Sequence, residues 1–112
     1  MEDKVKLGYL YDFYGELLNP HQQEIYEMSI NDDLSLSEIA DTFSISRQAV
    51  HDTLKRCDKA LNDYEARLHL VEKFLHIRND IKRINELTMQ NNTTEDVLKE
   101  ISRLSTLILE EL

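Results

Sequence analysis

At 112 residues and 13.2 kDa, the chain holds one domain, or one small domain with an appendage, and leaves no room for two independent cores. Apolar residues make up 41% of it, enough for a core. Gly 2 and Pro 1 fall far below the usual share of roughly 12%, which excludes a turn-rich sandwich or barrel and predicts an all-α fold. The net charge of −9 disfavours a protein that coats nucleic acid or membrane without selectivity. A single cysteine, Cys57, excludes an intramolecular disulfide and an all-cysteine zinc site. No apolar run approaches the ~18 residues of a membrane span, and MEDKVK has no secretory character. The expectation is a cytoplasmic protein with no membrane insertion.

The charge is uneven. Residues 1–33 hold 2 basic and 8 acidic side chains, residues 34–61 hold 4 of each, and residues 62–112 hold 7 basic and 10 acidic. In the first segment Leu7, Leu10, Phe13, Tyr14, Leu17 and Leu18 recur at helical spacing up to Asn19-Pro20. Asn19 then caps a second helix, with Pro20 at its first position and Gln22 three residues after the cap. Ile25, Tyr26, Met28 and Ile30 form its apolar side, and Asn31-Asp32-Asp33 ends it. Tyr9, Tyr11, Phe13 and Tyr14 follow core periodicity, so packing is preferred over base stacking as their role.

Ser35 with Glu38 forms a second capping box, and a short helix through Ile39, Ala40 and Phe43 follows. Ser44-Ile45-Ser46 leads into another helix carrying Ala49, Val50, Thr53, Leu54 and Leu61. A short helix, a three-residue turn, a small residue where the helices cross and a Ser cap on the second helix describe a helix-turn-helix over about residues 35–57. Ser44 stands where many such turns place Gly to tolerate positive φ. From Leu61 the apolar pattern continues without Gly or Pro, which predicts one long helix to about Met89. Thr93 or Thr94 caps a last helix with Val97, Leu98, Ile101, Leu104, Leu107 and Ile108 on one side, folding back as a hairpin. The domain reading is therefore residues 1–61 as a helix-turn-helix domain and 62–112 as an extension, either part of the same compact domain or a dimerisation element. The wide apolar side of the last helix fits a homodimer or coverage by other helices of the chain.

In a DNA-reading helix-turn-helix the early residues of the second helix meet base edges and phosphates. Those positions are Ser46, Arg47, Gln48 and His51, with Lys55, Arg56 and Lys59 further along. Arg47 and Gln48 suit bidentate contacts to guanine and adenine, while Ser46, Lys55 and Arg56 suit phosphates. The competing reading is a solvated face on which Arg47, Lys55 and Lys59 balance Asp52 and Asp58. Catalytic constellations are thin. His69, Glu72, His76 and Asp80 share one side of the expected long helix, as surface charge pairs also would. Cys57 lies near Arg56 and Lys59, which would lower its pKa, but lacks a base. No Gly-rich phosphate loop is present. The expectation is no enzyme activity, no cofactor and no metal.

The run Leu36-Ser37-Glu38-Ile39-Ala40, then Ser46, Val50, Leu54 and Arg56, resembles the helix-turn-helix of sigma-factor region 4. More closely, Lys4 to about Leu87 resembles the YlxM family of small bacterial proteins. The shared features are the aromatic Tyr9–Tyr14 helix, Leu18-Asn19-Pro20-His21-Gln22-Gln23, and the run Ile45-Ser46-Arg47-Gln48-Ala49-Val50 followed by Lys55-Arg56. Genes of that family lie beside those for the signal recognition particle GTPase and its receptor. The resemblance implies a regulatory part in that pathway, through nucleic acid (DNA or signal recognition particle RNA), through the GTPase, or through another basic protein. Two alternatives stay open: a sequence-specific DNA-binding transcriptional regulator, and an acidic adaptor whose helix-turn-helix is only a scaffold. In the adaptor, Glu2, Asp3, Asp12, Glu16, Glu24 and Glu27 supply the steering field.

Overall fold

A computed structural model describes residues 4–90 and 94–112; Glu2, Asp3 and Thr93 lie outside the described residues. Six α-helices occur among them: α1 (Lys4–Tyr14), α2 (Pro20–Ile30), α3 (Leu36–Phe43), α4 (Arg47–Leu68), α5 (Leu70–Thr88) and α6 (Glu95–Glu111). The fold is all-α, and the chain divides into two compact units, Met1–His69 and Leu70–Leu112.

The first unit is set by its helix starts. Asn19 accepts from the Gln22 amide at 2.8 Å while the Gln22 side chain returns to the Asn19 N–H, closing a capping box with Pro20 at the first helical position. Ser35 and Glu38 close a second box at α3. Ser46 caps α4 through the Ala49 N–H. Between α3 and α4, Ser44 adopts φ 55 and ψ 44, and the Ile45 N–H reaches back to the Ala40 carbonyl at 3.1 Å. This left-handed close turns the chain sharply enough for α4 to cross α3. Ile25, Ile39, Ala40 and Val50 form the buried centre of the crossing, with Met28, Leu34, Leu36, Phe43, Ile45 and Leu54 packed around it. Ala40 sits where a larger side chain would hold the helices apart.

Two expectations are corrected here. The first apolar stripe does not form one helix: α1 ends at Tyr14 and a 3-10 turn, Gly15–Leu17, follows, so Phe13 and Leu17 are exposed while Leu7, Leu10, Tyr14 and Leu18 are buried. A Cβ on Gly15 would stand 2.8 Å from the Tyr11 ring, so this tight turn requires glycine. The long helix expected from Leu61 to Met89 is interrupted: α4 ends at Leu68, His69 takes φ 55, and α5 begins at Leu70. Histidine is among the residues that enter the left-handed region most readily after Gly, so a break needs no Gly or Pro. In the second unit α5 and α6 pack as a hairpin around Leu87 and Leu104, and Thr94 caps α6 through the Val97 N–H.

Candidate nucleic-acid interface

The second helix of the helix-turn-helix, α4, runs for 22 residues, and its two sides carry opposite chemistry. At 100° per residue, Val50, Cys57 and Leu61 define the inner side and are fully buried. Gln48, Asp52, Lys55 and Lys59, spaced four, three and four, define the outer side and are exposed.

The acids of α4 are split between the two sides. Asp58 and Glu65 turn inward and are half-buried, accepting hydrogen bonds from the Tyr26 hydroxyl (2.9 Å) and the Tyr14 hydroxyl. Both tyrosines are essentially buried, and Tyr26 stacks on Tyr11 at 5.2 Å. Buried phenols need acceptors, and α4 supplies them. The outer side therefore keeps Arg47, Lys55, Arg56, Lys59 and Arg67 against Asp52 and Asp63.

Each candidate contact residue has a distinct state. Ser46 is exposed; its hydroxyl oxygen accepts the Ala49 N–H, which leaves the hydroxyl proton available to a phosphate. Arg47, Lys55 and Arg56 are exposed, and no ion pair engages them among the described residues. The Gln48 amide donates to Asp52 at 2.9 Å, so contact with a base requires exchange of that bond. Lys59 pairs with Asp63 at 2.9 Å, and phosphate contact there competes with a carboxylate. His51 lies on the flank, half-buried, with Nδ1 3.8 Å from Asp52 and no hydrogen-bond partner among the described residues. The balanced face proposed as the competing reading is not the observed one: Lys59 pairs with Asp63, and Asp58 faces the core.

The remaining chemistry is structural. Cys57 is fully buried; desolvation pushes its thiol up to about 11, with the Asp58 charge adding to the shift. This overturns the expected lowering by Arg56 and Lys59, whose side chains are exposed. The His69, Glu72, His76, Asp80 row is also broken, because His69 stands outside α5 and His76 Nδ1 lies 3.2 Å from Glu111. No group of three metal-ligating side chains occurs among the described residues, and no helix there is long and apolar enough to cross a membrane. Sequence reasoning missed the tyrosine–carboxylate bonds. A buried phenol signals the need for an acceptor, but acceptors 32 and 51 positions away leave no local pattern.

Comparison with known proteins agrees with this architecture. Residues 1–101 match the family UPF0122, described as "Putative helix-turn-helix protein, YlxM / p13 like". The chain is similar to a UPF0122 protein of Clostridium novyi, 41% identical over 99 residues, covering 85% of this chain and 86% of the relative. It is 37% identical over 99 residues to one from Oceanobacillus iheyensis, covering 88% and 94%. To one from Desulforamulus reducens it is 49% identical over 74 residues, covering 66% and 63%.

Proposed function

The chain belongs to the UPF0122 family of helix-turn-helix proteins, and on that premise we propose that it is a non-enzymatic regulator that binds nucleic acid through the N-terminal half of α4. One observation carries this reading: Arg47, Lys55 and Arg56 stand exposed and without ion pairs on a helix whose inward acids are taken up by tyrosine hydroxyls. In this reading Ser46, Lys55 and Arg56 hold phosphates, Arg47 and Gln48 face base edges in the major groove, and Lys59 joins once Asp63 is displaced. Acidic α1 and α2 repel the polyanion and limit contact to one side, so affinity is modest and selective.

Fluorescence anisotropy of labelled duplex DNA and of signal recognition particle RNA, titrated across salt, tests the proposal. Each neutralised phosphate contributes about 0.9 to the slope of log K against log salt on duplex DNA, so a slope of roughly two to four is expected. No binding to either probe at low salt by folded protein overturns it. Preference for the RNA supports a role in protein targeting, and preference for the duplex supports transcriptional regulation.

A second reading rests on a separate feature. Asp12, Glu16 and Glu27 line a shallow groove with Tyr11, Gly15 and Gln23, which suits a basic protein such as the targeting GTPase. Capture of that GTPase, lost when Asp12, Glu16 and Glu24 are neutralised and kept when Arg47 and Lys55 are reversed, distinguishes it from the first.

A further inference from the structure

We propose that one face of the α5–α6 hairpin is a homodimer surface, on which a second copy of this chain completes a four-helix bundle. The hairpin is antiparallel: His76 meets Glu111, while Arg83, further along α5, acts on Glu100, further back on α6. Leu87 on α5 and Leu104 on α6 are the buried seam. At 100° per residue, Ile77, Ile81 and Ile84 lie to one side of the α5 seam, and Leu98, Ile101 and Leu109 lie to one side of the α6 seam. Because the helices run in opposite directions, both offsets open on the same face. That face carries no charge, and Ile81 is 53%, Leu98 56% and Leu109 72% exposed. The opposite face is polar, with His76, Asn79, Glu110 and Glu111 lining a groove between the helices.

A two-helix layer with one apolar face is half of a two-layer architecture. The α5 helix spans about 28 Å at 1.5 Å per residue. Two helices about 9 Å apart make the face roughly 18 Å wide. The projected area is on the order of 500 Å² per copy and about 1,000 Å² for the pair, which reaches the size of a specific interface. An open groove lined by Ile81 and Ile84 between Arg78, Lys82, Asn85 and Thr88 offers a hole for an apolar knob.

Charge selects the occupant. The α5 helix holds 4 basic and 3 acidic residues and α6 holds 2 and 5, so a two-fold arrangement laying α5 over the second copy's α6 opposes unlike net charge. Residues 70–112 hold 6 basic and 8 acidic side chains, which disfavours an anionic lipid surface.

Sedimentation equilibrium of the full chain from about 1 to about 300 µM tests the proposal, a range that brackets a micromolar dimer. The mass should move from 13.2 kDa towards twice that value. Ile81→Glu with Leu98→Glu should weaken association about a hundredfold or more while far-UV circular dichroism is kept, and Asn79→Glu on the polar face should leave it unchanged. If the double glutamate variant misfolds, Ile81→Ser with Leu98→Ser reads the same direction at a smaller size. A single-chain mass throughout overturns the proposal, as does a dimer indifferent to both pairs of changes. Flotation of a monomer with phosphatidylcholine vesicles, lost on the same substitutions, overturns it in favour of lipid.

Discussion

The Tyr26 hydroxyl and the Asp58 carboxylate, on α2 and α4, are joined by a hydrogen bond of 2.9 Å that fixes the rotation of α4 against the acidic helices. The Tyr14–Glu65 bond does the same nearly two turns further along. Tyr26→Phe removes only the hydroxyl and leaves a half-buried carboxylate one donor short, so the expected loss is about 1–2 kcal/mol. Urea denaturation should show a lower midpoint at unchanged slope. An unchanged midpoint would mean that solvent replaces the phenol at no cost.

Arg47→Glu with Lys55→Glu reverses two exposed charges that no ion pair engages among the described residues, so folding should be unaffected. Polyanion affinity should fall for every probe sequence, and the salt slope should drop by about two, as expected for two lost phosphate contacts. Lys59→Ala should cost less, because Asp63 already occupies that ammonium. Equal losses for the three cations would contradict the distinct states assigned to them.

How far this is legible in the sequence depends on range. The caps at Asn19, Ser35, Ser46 and Thr94 each lie within four residues of the amide they hold, and all are readable as local patterns. The crossing of α3 and α4 is readable for the same reason, since Ile39, Ala40 and Val50 fall within twelve positions of each other. The break at His69 is not, because the apolar spacing on either side stays in helical phase while one backbone angle changes sign. Nor is the inward turn of Asp58 and Glu65: on a wheel they count as surface charge, and only the arrival of Tyr26 and Tyr14 makes them interior acceptors. The candidate contact residues were recoverable by position, whereas which of them stand without ion pairs required the fold.

Cys57 illustrates the same point in its pH behaviour. Burial holds the thiol protonated up to about 11 in the folded chain, against 9.0 for an unhindered cysteine. Between these values the unfolded chain has lost the proton and the folded chain retains it. Stability therefore falls as pH rises from about 9 through 11 and is unaffected by this group below 9. The Tyr11 hydroxyl, raised mainly by desolvation and by its bond to Glu27, acts in the same direction at higher pH. Alkylation by iodoacetamide at pH 8 should be slow in native protein and fast in urea, and denaturation midpoints should decline above pH 9. In Cys57→Ser the part of that decline between 9 and 11 should shrink.

Ser44 occupies the left-handed region at φ 55 and ψ 44, where a Cβ is strained and glycine is not. The carbonyl of Ala40 receives the Ser44 and Ile45 amides at this turn, so the geometry is held from both sides and a residue without Cβ fits it directly. Ser44→Gly removes the strain but frees the unfolded chain, and the balance should be a gain of a few tenths to about 1 kcal/mol. Ser44→Val, branched at Cβ, should lose more than that. Because Ser44 sits in the turn and Ser46 still caps α4, the glycine variant should bind nucleic acid as the native chain does. A glycine variant that gains stability and loses binding would show instead that the turn side chain itself contacts the polyanion.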